Sequence, residues 1–407
     1  MVSLNELNSL IDKIISSLDL KEDFGWNKKI NKVLVILSAS RSGSSLVFDA
    51  LSKSANIIAP AGEHEPWLFL TKNKFPYQYS DELKGIDNIE LLLNLLRNDL
   101  LIRENNILSE EYLSLLRNRL ALRQIYLPNS WYAQWQKQYY RVDFEVLEKI
   151  RINLANILSY ERIKSRLAIT NNEFTKNVLL PIENPPFIDQ PLARRATDEE
   201  LSAKTLLFKA PSDAYRSGLY ENLFPNASIK FIHLTRGYPQ TINGLIDGWT
   251  LNDFDYISNP TGLFDKILNI KGYSKSSITS NYWCFDLFPE WRKFTDRNII
   301  SICAMQWLTA HNYILDNFNV VSRLKFEDIY LNKEVFIKKL EDITGISVKG
   351  YNWNESIMST DSPRQYRWHK RKDILLNLSN YISSENYNKV LDVNNKLGYS
   401  QDILEWR

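Results

Sequence analysis

An α/β fold with a mostly parallel central sheet flanked by helices is what this 407-residue sequence predicts, on three observations. First, Val33-Leu34-Val35-Ile36-Leu37 is a short, β-branched run that is apolar at every position, the pattern of a strand buried on both faces. Second, a loop of small residues over 38–45 follows directly, and Leu46, Val47, Ala50 and Leu51 then fall at helical spacing, so strand, loop and helix open a βαβ unit. Third, strand-like and helix-like stretches keep alternating, which argues for a sheet covered on both faces.

The elements follow in order. Residues 4–18 carry Leu4, Leu7, Leu10, Ile11, Ile14, Ile15 and Leu18 at helical spacing, and the mixed charges on the opposite face fit a helix packed on the core rather than a membrane anchor. Ile57-Ile58-Ala59 is a second strand candidate. Over 75–200 the pattern changes to Leu-rich helical stretches (Leu91 to Leu96, Leu113 to Leu120) interleaved with Trp131, Trp135, Tyr139 and Tyr140, and it closes on a proline-rich connector at 181–191. The expected organisation is therefore a start over 1–74, a helical insertion over 75–200 and the rest of the core over 201–407. In that last part Thr205–Phe208, Ile229–Leu234 and Val320–Phe326 read as strands, and 238–247 and Val335–Ile343 as helices.

Charge narrows the function. A formal net charge of only +2 gives no global field for nucleic acid or an anionic membrane, so any anion site must be local. Cys284 and Cys303 are too few for a disulfide framework. The N-terminus has no basic region leading into an apolar run, and no stretch reaches spanning length, so the expected compartment is the cytoplasm. His64, His233, His311 and His369 are scattered without ligand spacing, and no metal site is expected. His233 lies inside an apolar strand and reads as a core histidine.

The loop reads Ser38-Ala39-Ser40-Arg41-Ser42-Gly43-Ser44-Ser45. On the spacing of a nucleotide-hydrolysing P-loop, Ser38 takes the first Gly position, Gly43 fits the second, Ser44 replaces the Lys and Ser45 keeps the hydroxyl. Backbone amides at the helix start remain available to a phosphate. The cation moves to Arg41, which donates bidentately to phosphate or sulfate oxygens and stays charged. Such a loop favours a diphosphate-like group over a triphosphate with magnesium. An esterase elbow is excluded, because Ser42 as nucleophile would need Gly where Ser40 and Ser44 stand.

This loop resembles the 5′-phosphosulfate loop of sulfotransferases, and further segments resemble the family in the same order, together spanning about 33–67 and 204–372. The resemblance implies a P-loop-like sulfotransferase fold using 3′-phosphoadenosine-5′-phosphosulfate as co-substrate, with the 3′,5′-bisphosphate as product. Arg41, Ser42, Gly43, Ser44 and Ser45 would hold the 5′-phosphosulfate. Ala61-Gly62-Glu63-His64-Glu65-Pro66-Trp67 resembles the segment that carries the general base in some branches, which the acceptor needs in order to lose a proton. Glu65 best fits the acid-then-aromatic pattern, with Glu63 or His64 as alternatives. Phe208-Lys209-Ala210-Pro211 resembles an element whose lysine points into the site, so Lys209, with Arg41, would neutralise charge on the leaving group.

The 3′-phosphate element of the family has an Arg ending a strand and a Ser eight residues on. Arg236 matches, but Gly244 stands in the serine's place, with Asn243 beside it as a substitute. Phe326-Glu327-Asp328 resembles an aromatic-Glu-Asp strand end and reads as structural. In the late run 362–372, six basic side chains counting His369 crowd eleven positions, and the resemblance makes Arg367, Lys370, Arg371 and Lys372 candidates for closing over the 3′-phosphate.

The acceptor is expected to be a small molecule carrying a hydroxyl or amine, a specialised metabolite, with neither nucleic acid nor membrane as partner. Trp249, Phe254, Tyr256, Tyr282, Trp283, Phe285, Phe288 and Trp291, interspersed with the acids Asp247, Asp253, Asp255, Asp286 and Glu290, form either its pocket or ordinary core. Two rivals stand: a P-loop small-molecule kinase, against which Ser44 and the lack of a magnesium-ligand pair count, and a non-catalytic nucleotide-binding protein of the same fold.

Overall fold

The computed structural model describes residues 4–18, 20, 23–60, 62–103, 182–184, 187–189, 193–250, 268–273, 283–354 and 364–402. A seven-stranded sheet runs in the order β6-β3-β2-β7-β1-β8-β9. Its strands are β1 (Lys32–Leu37), β2 (Ile57–Pro60), β3 (Leu100–Arg103), β6 (Ala193–Arg195), β7 (Thr205–Phe208), β8 (Ser228–Thr235) and β9 (Val320–Lys325), while β4 (Ile182–Asn184) and β5 (Phe187–Asp189) pair with each other. The five strands from β2 to β9 across the middle are parallel, and β3 and β6 extend the β2 edge antiparallel.

β1 lies at the centre. Val33 faces Leu206 of β7 on one side and Ile229 of β8 on the other. Because side chains alternate across a strand, Val33, Val35 and Leu37 enter one apolar core and Leu34 and Ile36 the other. A strand that serves two cores cannot carry a polar position, which is why the run was so plain in the sequence. The chain leaves β1 for β2, returns through β7 and crosses to β8, so the C-terminal end of β1 is the point where the strand order reverses. In open parallel sheets that crevice is where ligands bind.

Helices Ser44–Ser52, Tyr238–Thr250, Ile299–Asn317 and Lys333–Thr344 cover the two faces. The N-terminal helix Leu4–Ser17 buries Leu7, Ile11 and Ile14 against the core, and no helix among the described residues is long and apolar enough to cross a membrane. His233 is fully buried, its Nε2 2.8 Å from His311 Nδ1, and burial pushes the His311 imidazole down to about 3. Of the expected insertion, helix Ile89–Asp99 is followed without a break by β3, and β6 precedes the return to the core. The described parts of 75–200 therefore build sheet edge as well as helix. The Leu113–Leu120 stretch and Trp131 to Tyr140 lie outside the described residues.

The aromatic cluster is core where it is described: Trp249, Trp283, Phe285, Phe288 and Trp291 are all buried. Phe254, Tyr256 and Tyr282 lie outside the described residues. Phe285 sits in the left-handed region at φ 64°, with its ring against Gly248 of helix Tyr238–Thr250. A Cβ on Gly248 would come within 2.2 Å of that ring. Gly248→Ala should cost about 1–3 kcal/mol, as overpacking of a closed core does, read as a lower midpoint in guanidinium chloride unfolding.

Candidate functional site

The loop at the end of β1 is built from small residues because it is sealed. Ser38, Ser40, Ser42, Ser44 and Ser45 are all buried. Arg41 (φ 65°) and Gly43 (φ 88°) both adopt left-handed backbone, which folds the loop back over the start of helix Ser44–Ser52. Gly43 is required twice over, since a Cβ there would stand 2.0 Å from the Phe326 ring. The Ser38 and Ser42 hydroxyls are buried without a hydrogen-bond partner among the described residues. Unpartnered buried hydroxyls are costly unless something satisfies them, and an anion in the loop would do so.

Lys209, at the end of β7, reaches this loop. Its Nζ donates to Ser45 Oγ at 2.9 Å and to Glu63 Oε1 at 2.5 Å. The parallel register that sets Val35 opposite Phe208 brings the next residue of β7 level with the end of β1. Lys209 is buried and Glu63 is the more open partner, its side chain 15% exposed. Burial pushes the Glu63 carboxyl above its ordinary value and outweighs Lys209, which acts the other way.

The other two base candidates point elsewhere. His64 lies edge-on to Phe208 and Tyr220, its Nε2 3.1 Å from Asp213 Oδ1, within ion-pair range but off the line of a hydrogen bond. Glu65 enters a buried ionic cluster. It accepts from Arg216 Nη1 and from Ser212 Oγ, each at 2.5 Å, and pairs with Lys74. Arg216 also lies 3.2 Å from Asp213 and 3.4 Å from Asp81. Burial alone would raise the Glu65 carboxyl, but Arg216 and Lys74 prevail and hold it well below the usual range. Asp213 behaves alike: burial is outweighed by His64 and Arg216. Helix Glu65–Leu70 starts within this segment and turns Glu65 toward Arg216, so of 63–65 it is Glu63 that meets Lys209. None of Lys74, Asp81, Asp213 or Arg216 stood out in the sequence, because the cluster forms only when 65–81 and 213–216 are brought together by the fold.

Arg236 closes the end of β8. Its carbonyl accepts from Trp307 Nε1 at 2.9 Å, and the next amide, Gly237 N–H, is held by Glu327 Oε1 at 2.9 Å. The guanidinium lies 4.9 Å over the Phe326 ring and donates to Arg41 O at 3.2 Å. Its Nε is buried without a hydrogen-bond partner among the described residues. Arg236 therefore presents a buried cation beside the loop.

The helix after β8 and the late basic run meet each other. Gly244 O accepts from Arg41 Nε at 3.3 Å, and a Cβ on Gly244 would touch the Arg41 side chain at 3.4 Å, so this position braces Arg41. Asn243 Oδ1 accepts from Arg371 Nη1 at 2.6 Å. Arg371 and Lys370 both pair with Asp247, at 2.8 and 2.7 Å. Arg367 is half-buried, and Lys372 is exposed. The structure thus joins Arg41, Arg236, Lys209, Glu63 and the loop serines in one region, and docks Arg371 and Lys370 on helix Tyr238–Thr250. A further residue touches the loop: Asp286 Oδ1 accepts from Ser40 Oγ at 2.7 Å.

No protein-family model matches the chain, and no curated protein matches it. Among solved structures it is similar to the sulfotransferase domain from the curacin biosynthetic pathway, with 11% identity and a TM-score of 0.38 over 92% of this chain and 99% of that one. It is also similar to the sulfotransferase domain from the Synechococcus PCC 7002 olefin synthase, with 12% identity and a TM-score of 0.36 over 94% of this chain and 100% of that one.

Removing Arg216 would leave Glu65, Asp81 and Asp213 buried without their shared cation. Arg216→Ala should cost about 3–5 kcal/mol at pH 7. The lowered carboxylates contribute stability that is complete above their ordinary values of 4.5 and 3.8 and is lost as pH falls through the folded ones. Denaturant unfolding at pH 7 and pH 3 should therefore show the Arg216→Ala penalty shrinking in acid.

Proposed function

We propose that the chain is a sulfotransferase, moving the sulfuryl group of 3′-phosphoadenosine-5′-phosphosulfate to a hydroxyl or amine of a small-molecule acceptor. The observation that carries this reading is the bridge from Ser45 through Lys209 to Glu63. It sets a cation at the start of the loop helix and a carboxylate of raised proton affinity immediately beyond it. An in-line sulfuryl transfer needs that pairing.

The loop 38–45 receives the phosphosulfate end of the donor, with the buried Ser38 and Ser42 hydroxyls and the helix-start amides as donors. The buried Arg236, whose Nε has no hydrogen-bond partner among the described residues, takes the 3′-phosphate and so distinguishes this donor from ATP. Glu63 accepts the proton of the acceptor O–H or N–H as the acceptor atom bonds to sulfur. The bond from sulfur to the bridging phosphate oxygen breaks, and its electron pair leaves with the 3′,5′-bisphosphate. Lys209 and Arg41 stabilise the charge that collects there. Burial raises Glu63 toward the working pH, the condition under which a carboxylate serves as base. Glu65, held ionised by Arg216 and Lys74, is the poorer base although its place in the sequence favoured it.

Calorimetric titration with the 3′,5′-bisphosphate, ATP and 5′-AMP tests the donor site. Tight binding of the bisphosphate alone, weakened at least tenfold in Arg236→Ala, is the expected outcome. Binding only of ATP with magnesium would overturn the reading and favour the kinase. Once an acceptor is in hand, Glu63→Gln should lower turnover by about 10²-fold or more with donor affinity nearly unchanged. An unchanged turnover would remove Glu63 from the role of base.

A further inference from the structure

Asp286 is a carboxyl at the back of an anion-binding loop, where a negative charge opposes the ligand. It is 3% exposed, and the segment that carries it is pinned. Its carbonyl accepts from Trp283 Nε1 at 3.0 Å and Gln306 Nε2 at 3.1 Å, and the next amide, Leu287 N–H, donates to Asp81 Oδ2 at 2.7 Å. Phe285, one residue before, holds left-handed backbone. The fold therefore fixes this carboxyl against Ser40.

We propose that Asp286 is a positioning residue that takes up one proton when an anion fills the loop 38–45, coupling donor binding to protonation. The inference rests on the donor-loop reading above. The hydrogen-bond network allows it with little motion. Oδ1 accepts from Ser40 Oγ at 2.7 Å and Oδ2 from Tyr215 OH at 2.8 Å. A proton on Oδ2 needs an acceptor, and Tyr215 OH becomes one by turning its own hydrogen to Thr309 Oγ1, 3.1 Å away. Thr309 can accept, since its own hydrogen goes to Met305 O at 2.6 Å. One proton comes from solvent, one hydroxyl rotates, and Ser40 stays in place.

The surroundings favour the neutral form. Burial pushes the Asp286 carboxyl up to about 6, only partly offset by the Ser40 and Tyr215 hydrogen bonds, and Asp81 pushes the same way. The groups that face it are Ser40 beside Arg41 from the loop, Tyr215 from 211–215, Asp81 from the 74–81 segment, and Cys303 and Thr309 from helix Ile299–Asn317. Burial lifts the Tyr215 hydroxyl and the Cys303 thiol well above their ordinary values, so both stay neutral near pH 7. An incoming anion raises the carboxyl further, as a like charge does.

The experiment is calorimetry of the 3′,5′-bisphosphate binding to the full chain at pH 7, in non-phosphate buffers of different ionisation enthalpy, with wild type and Asp286→Asn. Wild type should take up more protons than the variant. Above pH 6 its affinity should fall by up to tenfold per pH unit relative to Asp286→Asn, the ligand's own titration being common to both. Equal proton uptake in the two folded proteins overturns the inference while leaving the donor site standing. No bisphosphate binding by wild type overturns the donor reading instead, and this inference with it. Should Asp286→Asn fail to fold by circular dichroism, Tyr215→Phe serves. It removes the acceptor that a proton on Oδ2 needs and should lower the proton uptake that accompanies binding, and unchanged uptake overturns the inference.

Discussion

The contact on which the site depends is the Phe326 ring lying where a side chain at position 43 would be. No residue but glycine fits beneath it, and glycine alone takes the local backbone without strain. The ring also lies under the Arg236 guanidinium. One aromatic at the end of β9 thus sets the distance between the loop after β1 and the turn after β8, the two places to which the proposed reading assigns the donor's anionic groups. Its neighbour Glu327 fixes the same turn from the other side, accepting from Gly237 N–H and from Tyr399 OH. The aromatic-Glu-Asp strand end reads in sequence as structural. Its structural task is to hold the candidate binding residues in register.

The central sheet was legible because β1 serves two cores and so shows no polar position. β9 reads less strongly, since its burial is partial, as an edge strand's is. The strands within 75–200 were not legible. Leu100-Leu101 continues the Leu-rich run of the preceding helix with no turn residue between, and β6 is Ala193-Arg194-Arg195, which looks like surface. What makes these segments strands is an open sheet edge, β3 pairing with β2 and β6 with β3, a tertiary condition no local pattern records. The loop was legible because burial forces small residues and glycine into it. Asn243 and Gly244 were the reverse case: a motif position drew attention to them, and the structure gives them to Arg371 and Arg41.

The segment 63–65 shows why a motif can find a neighbourhood and still leave its chemistry open. Three adjacent ionisable residues face different surroundings. Glu63 meets a single lysine near the loop and is pushed up by burial. His64 packs on rings. Glu65 meets Arg216 and Lys74 and is pushed down. Environments that drive neighbouring carboxyls apart are how a fold assigns proton-transfer roles. The residues that set these surroundings lie nine to about 150 positions away in the chain, so the acid-then-aromatic pattern favoured Glu65 on local grounds that do not record them.

The loop also lacks the lysine that a triphosphate-binding loop carries, yet the site does not lack a lysine. Ser44 stands at that position, while Lys209 arrives from the adjacent strand and bonds Ser45, the next residue. A lysine on the loop helix would follow the phosphate chain outward. A lysine on β7 instead comes from the side where Glu63 lies and is fixed by strand register rather than by a flexible stem alone. It therefore sits between the helix start and the carboxylate, where charge from a breaking bond and a proton from a forming one would both be handled. In the proposed transfer the lysine meets the charge on the leaving oxygen while the carboxylate takes the acceptor's proton, so one strand end and one loop residue serve both halves of the reaction.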